Sequence, residues 1–330
     1  MKRPLIYIVL LVVLAAIALF LYMQDQQSTL DAGFTNFGVE NTKKIDSIRL
    51  SQGEKAVHLQ RRNNRWYVNG QTYAREKAVR QFFNLLEDLQ VEAPATESNR
   101  DELISQIREN PVEVSIYQGG QRIRDYLVEE HPAREGPTYM MMTESRRPFL
   151  MSLPGFQGDL ASLFRVEPEY WRDRTLFDYS GLDLKAIEVV YPSRTSASFM
   201  LTYSNDRFRL KSLEEKRFLE NFSSNKAARY FSYFGNVRFH SVMTDKPRLL
   251  DSLRQSQPYC TIRLADVDGN QRKLLTYRKE SEGSQDAFGQ QSRWDLNYLY
   301  GRYEHSGEIL LIKYTEIDPL LKEINYFRKN

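Results

Sequence analysis

The sequence predicts an α+β protein: an N-terminal transmembrane helix, then two related modules of antiparallel sheet with packed helices. Three observations carry that expectation. Apolar and polar residues alternate over short runs bounded by Gly- and Asn-bearing turns, the period-2 pattern of half-buried strands. The links between most of these runs are too short for a parallel crossover, so antiparallel hairpins are expected. The pattern of residues 45–89 also recurs from Leu184 onward. An aromatic content of 12%, mostly Tyr and Phe, agrees with a strand-rich chain.

Residues 5–23 form an apolar run without a charge, long enough to cross a bilayer as a helix. Lys2 and Arg3 precede it, and residues 24–42 carry no Lys or Arg. This asymmetry places the N-terminus in the cytoplasm and the bulk of the chain in the periplasm, anchored by a single pass in the inner membrane. A cleaved signal peptide is the rival reading, since Ala16-Ile17-Ala18 fits a cleavage site. The apolar run continues through Leu19-Phe20-Leu21-Tyr22-Met23, which favours the uncleaved anchor. The segments are therefore residues 1–23, cytoplasmic tip and anchor; 24–43, a polar tether; 44–178, a first module; and 179–330, a second.

The first module opens with Ile48 and Leu50, turns at Gly53-Glu54, and resumes at Val57 and Leu59. Asn63-Asn64 and Asn69-Gly70 supply two further turns, because Asn and Gly tolerate left-handed backbone. Val79, Phe82, Phe83, Leu86 and Leu89 then fall on one helical stripe. A second helix starts near Ser98 with Asp101-Glu102 behind it and ends before Pro111. Val112, Val114 and Ile116 alternate, Gly119-Gly120 turns the chain, and strands follow at 123–128, 139–142 and 149–153. Leu160, Leu163 and Phe164 indicate a short helix, and helices are expected on one face of each sheet.

The second module repeats the order. Ile187 and Val189 match Ile48 and Leu50; Phe199 and Leu201 match Val57 and Leu59; Phe208 and Leu210 match Trp66 and Val68. Trp66 and Phe208 are both expected to be largely buried. Phe218 and Phe222 are expected on a helix, at the places of Val79 and Phe83. Cys260, Ile262 and Leu264 match Val112, Val114 and Ile116. Residues 298–300 match 139–142, residues 309–312 match 149–153, and Leu320, Leu321 and Ile324 indicate a final helix. A repeat this long is a whole domain, beyond the range of solenoid units.

A net charge of +3 over 330 residues argues against the concentrated basic face of a nucleic-acid binder. The one cysteine, Cys260, can form no internal disulfide and reads as a small buried hydrophobe. Asp266-Val267-Asp268-Gly269-Asn270 lacks the ligand spacing of a calcium loop and reads as a hairpin turn. Glu129-Glu130-His131 with Glu135 has no second His at zinc-site spacing. Ser223-Ser224-Asn225-Lys226 satisfies Ser-x-x-Lys without its companion motifs. The string Tyr230-Phe231-Ser232-Tyr233-Phe234 reads as core, with sugar stacking or partner binding as the alternative. Asn221-Phe222-Ser223 fits a glycosylation pattern that is idle in a bacterium. No catalytic, cofactor-binding or metal-ligating residue is assigned.

The N-terminal anchor, Ile48-Arg49-Leu50, Trp66-Tyr67-Val68, Ala78-Val79 with Leu85-Leu86, Pro94 and Pro111-Val112 together resemble the bacterial family called domain of unknown function 4340. Residues 149–156 and Tyr170-Trp171-Arg172-Asp173 are similar to longer, Bacteroidetes-type members. The resemblance implies no activity and no catalytic residues, but a setting beside transport systems of the gliding-motility ABC type. The expected function is a binding or assembly component of the cell envelope, with an unidentified envelope or membrane protein as partner and no nucleic acid. The alternatives are a carboxylate-based hydrolase acting on envelope glycan or peptide, and a small-ligand receptor in a cleft between modules.

Overall fold

The computed structural model describes residues 35–130, 136–180, 183–243, 246–283, 289–304 and 306–329. The expected transmembrane run and most of the tether lie outside the described residues, as do His131 and Glu135. Among the described residues no helix is long and apolar enough to cross a membrane. The chain divides into two units, Met1–Asp173 and Arg174–Asn330.

The first unit carries β1 (Ser47–Gln52), β2 (Lys55–Arg62), β3 (Arg65–Val68), β4 (Thr72–Tyr73), helix α1 (Glu76–Asp88), β5 (Gln90–Pro94) and helix α2 (Arg100–Glu109). Then come β6 (Val112–Gln118), β7 (Gln121–Val128), β8 (Thr138–Met142), β9 (Phe149–Ser152) and the one-turn helix α3 (Pro168–Trp171). They form a nine-stranded sheet in the order β4-β3-β2-β1-β6-β7-β8-β9-β5, antiparallel throughout. Its tight turns sit where Asn and Gly stand: Asn63 and Asn64 adopt φ of 49° and 62°, the left-handed region a two-residue hairpin needs.

The second unit begins with β10 (Thr175–Phe177), whose partner is β15 (Val237–Arg238). The sequence reading puts the junction at 178/179, whereas this pairing groups β10 with the second unit. Its sheet contains β11 (Leu184–Val190), β12 (Phe199–Ser204), β13 (Arg207–Ser212), β14 (Phe218–Leu219), β16 (Ser241–Met243), β17 (Cys260–Asp266), β18 (Gln271–Glu280), β19 (Trp294–Tyr303) and β20 (Ile309–Lys313). Helices α4 (Ser224–Ser232), α5 (Pro247–Gln255) and α6 (Tyr314–Ile317) accompany it. The order β14-β13-β12-β11-β17-β18-β19-β20-β16 is that of the first sheet, strand for strand.

Register matches too. Ile48 stands opposite Leu59 and Ile116, and Ile187 opposite Leu201 and Leu264. Val112 pairs with Val128 and Cys260 with Thr276. The match of residues 298–300 to 139–142 is displaced, because Met140 faces Phe149 while Gly301 faces Leu310. Strand β19 is longer than β8 at its start, which moves the shared rung along the chain.

The main core of the first unit joins Ile48, Leu50, Val57, Leu59, Val114 and Ile116 to Ala78, Val79, Phe82 and Leu86 of α1. The second joins Ile187, Val189, Phe199, Leu201, Ile262 and Leu264 to Ala227, Tyr230 and Phe231 of α4. Helices do not keep to one face, however. Leu127 and Met141 turn away from the main core and pack with Ile104 and Ile107 of α2; Tyr277 and Ile309 do the same with Leu253 of α5. Neighbouring apolar residues such as Leu127-Val128 and Met140-Met141 put apolar side chains on both faces, so both need a cover.

Trp66 and Phe208 occupy matching rungs, opposite Arg61 and Tyr203, each partly buried and packed against its unit's core. Each packs edge-on against a helix ring, Trp66 on Phe83 at 5.4 Å and Phe208 on Phe231 at 5.2 Å. Two further expectations are corrected. Phe218 lies on β14 and is 53% exposed, since the helix begins only after Ser223. The last helix is two separate turns, α6 and a 3-10 turn over Ile324–Phe327, with Leu320 buried between them.

Candidate functional site

Helix α2 covers the outer face of β7 and β8 only. Among the described residues no helix packs on the outer face of β4, β3, β2, β1 and β6, and alternation decides what it shows. Ile48, Leu50, Val57 and Leu59 turn inward, so Ser47, Arg49, His58, Gln60 and Arg62 turn outward. Cross-strand pairing sets Tyr73 beside Tyr67, Tyr67 beside Gln60, Gln60 beside Ser47, and Ser47 beside Tyr117. Arg65 stands opposite Arg62, and Arg49 opposite His58.

The Tyr67 and Tyr73 rings lie 5.0 Å apart, with the Arg62 guanidinium 5.9 Å from the first and that of Arg65 5.2 Å from the second. Arg62 also donates to Gln60 Oε1 at 2.8 Å. Among the described residues Arg49, Arg62 and Arg65 form no ion pair. A depression of about 400 Å³ opens between Arg49, His58, Asn69 and Tyr117, with Asp46 at its rim accepting from the Gly120 N–H at 3.2 Å. On its wall Ser47 Oγ and His58 Nε2 are hydrogen-bonded at 2.7 Å. Burial, then Arg49 and Arg62, hold the His58 imidazole below its ordinary 6.5, so the ring is neutral at pH 7.

The second unit has a larger cavity, about 930 Å³, at the β14 edge of its sheet. It forms where this unit departs from the first. The β1–β2 link is Gly53-Glu54, whereas the β11–β12 link runs over 191–198 with a 3-10 turn at Thr195–Ala197. The β3–β4 link is Asn69-Gly70-Gln71, whereas the β13–β14 link spans 213–217. Residues 323–328 form the remaining wall.

The cavity carries both signs of charge. Arg194 pairs with Glu323 at 2.6 Å and Arg217 with Glu215 at 2.6 Å, while Thr195 Oγ1 donates to Glu214 Oε1 at 2.9 Å. Glu220 and Arg328, also in the lining, form no ion pair among the described residues. Phe218 offers its ring at the mouth, with Lys211 Nζ 5.9 Å from the centroid.

Most of the residues weighed in the sequence have structural hydrogen bonds or packing. Ser223 Oγ accepts from the Lys226 N–H at 3.3 Å, which makes Ser-x-x-Lys the N-cap of α4, and Lys226 Nζ donates to the Arg328 carbonyl at 2.9 Å. Tyr230, Phe231 and Phe234 are core, and the Tyr230 hydroxyl donates to the Leu320 carbonyl at 2.6 Å. Asp266 accepts from the Asn270 N–H at 2.8 Å and its side-chain amide at 3.0 Å, closing the hairpin turn. Cys260 is fully buried, and burial pushes its thiol up to about 12. Glu129 Oε2 accepts from the Tyr139 N–H, and Glu130 from Asn110 and Gln52. No group of three or more His, Cys, Asp or Glu placed to hold a metal occurs among the described residues.

Neither site was singled out from the sequence. Arg49, Tyr67 and Tyr73 carry no motif, and only the pairing of four strands makes them neighbours. The one available signal was the excess of Arg at 61–65 on strands whose inward residues were already assigned. No family model, curated protein or solved structure matches the chain.

Proposed function

We propose that this chain is a membrane-anchored, extracytoplasmic binding component of the bacterial cell envelope, accessory to a transport system, and that its units descend from one duplicated module. The anchor reading is supported by the apolar residues 5–23 behind Lys2 and Arg3. The duplication reading is supported by identical strand order and by matching rungs such as Ile48–Leu59 and Ile187–Leu201.

The observation that carries the binding reading is the cavity at the β14 edge. Two of its walls, 191–198 and 213–217, are links longer than their counterparts in the first unit, and their charged side chains Arg194, Glu214, Glu215 and Arg217 line the cavity outside the core. An open, zwitterionic lining with one exposed aromatic ring suits an extended peptide segment of a partner protein. Backbone amides and side chains of either sign would find complements there, and Phe218 supplies apolar contact. Confinement by a single anchor would raise the local concentration of such a partner in the same membrane.

A photo-crosslinking residue placed at Phe218 of the full chain in its native membranes tests this. Crosslinking to one defined envelope protein is expected, reduced by the charge reversal Arg328→Glu. The same probe at Asp251, on the exposed side of α5, should give none. Equal labelling from both positions, or none from Phe218, would overturn the reading.

A further inference from the structure

The open half of the first sheet is chemically unlike the matching half of the second, and that difference identifies a ligand class. Rung by rung, Arg49 is replaced by Glu188, Tyr67 by Arg209, Tyr117 by Ala265 and His58 by Met200. In the second unit Glu188 is neutralised by Arg263 at 2.5 Å. In the first, Arg49 has no ion partner among the described residues, and Ser115 stands where Arg263 would. The same topology is thus built without this array, so folding does not require it.

We propose that the outer face of β1–β4 and β6 is a docking surface for an acidic glycan, a sugar chain bearing carboxylate groups. Three features select this class. Arg49, Arg62 and Arg65 are guanidinium groups without ion partners, and a guanidinium fork matches a carboxylate in two hydrogen bonds. Tyr67 and Tyr73 present ring faces on a sheet surface, which stack against the C–H faces of sugar rings; Tyr73 is 47% exposed. The depression beside Tyr117 is lined by Ser47, His58 and Asn69, donors and acceptors of the kind sugar hydroxyls need, together with Arg49 and, at its rim, Asp46, which accepts from the Gly120 N–H.

The row from Tyr67 to Tyr117 crosses three strand spacings, about 14 Å, which favours a chain of several sugars over one small anion. A lipid bilayer fits less well, because the face offers no protruding aliphatic residue to insert. The proposal stands apart from the peptide cavity of the second unit. Each site can fail without the other.

The test titrates full-length protein in non-ionic detergent with oligogalacturonate, an acidic glycan, and with maltooligosaccharide, a neutral one, by calorimetry. Saturable binding of oligogalacturonate alone is expected. The triple variant Arg49→Gln/Arg62→Gln/Arg65→Gln should weaken it by more than about 10-fold and flatten its salt dependence. Tyr67→Leu should weaken it by at least about 3-fold and leave the salt dependence unchanged, the signature of stacking rather than charge. Ser204→Ala, at the rung of the second unit that matches Arg62, should have no effect. Unchanged far-ultraviolet dichroism would show that the exposed-face variants fold. Equal binding of the neutral glycan, wild-type affinity in the triple variant, or no binding of oligogalacturonate would each overturn the proposal. So would displacement by equimolar glycerol phosphate, which would mark a plain anion site.

Discussion

His58 shows how a single residue records its neighbours. Burial and the fields of Arg49 and Arg62 disfavour the imidazolium, so the ring takes up its proton below 6.5. An unfolded chain then binds more protons than the folded one between the two values. Stability associated with His58 is therefore fully present above pH 6.5 and is lost as pH falls through the folded value. Imidazole resonances followed by NMR should titrate below 6.5, and Arg49→Gln should move the midpoint upward. A midpoint unmoved by that change would show that Arg49 does not face the ring. Cys260 makes the opposite statement about reactivity. With its thiol fully buried and pushed up to about 12, it stays protonated at neutral pH. A colorimetric thiol reagent should modify the native protein no faster than it unfolds, and modify it at once in denaturant.

At the scale of elements, the helix of the second unit turns on one cap. Ser223 Oγ satisfies the Lys226 N–H, and the Ser223 N–H itself donates to the Phe327 carbonyl at 2.8 Å. In the first unit Arg75 takes that place, its N–H donating to the Trp171 carbonyl at 2.6 Å, but without a side-chain cap. Ser223→Ala should therefore destabilise the second unit by about 1 kcal/mol, measured by denaturant titration. Trp66→Ala removes a half-buried ring from the face of Phe83. Its cost should be about 2–3 kcal/mol, below that of a fully buried aromatic, with Phe208→Ala somewhat smaller. The long alternating strands and their inward residues were legible in the sequence at this scale, because alternation at Ile48-Leu50 or Ile262-Leu264 has one physical meaning; short strands such as β5 and β16 were not. Nor was the placing of Phe218. An aromatic four residues before Phe222 fits a helical stripe as well as a strand and loop, and only the cap at Ser223 decides between them.

At the scale of the whole molecule, each unit closes its own core. Among the described residues, the second unit's main cluster, from Leu176 to Phe327, draws on none before Arg174. Residues 174–329 expressed alone should fold, giving a dispersed amide spectrum and a cooperative thermal transition. A fragment lacking either would show that the division into units does not extend to folding. The proposed peptide cavity and glycan face belong to different units. Variants at Phe218 and at Arg49 should therefore affect their ligands independently, each fragment retaining one function.

The sequence by itself determined the long strands, their inward faces, the tight turns and the recurrence of the pattern, because period-2 alternation and the left-handed tolerance of Asn and Gly are local properties; the short strands β4, β5, β10 and β14–β16 and helix α5 were not read from it. It also favoured a core place for Cys260 and for the string from Tyr230 to Phe234, of which Tyr230, Phe231 and Phe234 are core while Ser232 is exposed and Tyr233 half-buried. Tertiary structure alone decided which outward residues meet. Tyr73, Tyr67, Ser47 and Tyr117 come from four strands separated by up to dozens of residues, and their adjacency follows from strand order and register, not from spacing. It alone decided that a second helix in each unit covers the opposite face, leaving one half of the sheet open. It alone turned longer links at 191–198 and 213–217 into the walls of a cavity. Outward positions carry no packing constraint, so their sequence pattern is free, and what they do together is fixed only when the sheet assembles.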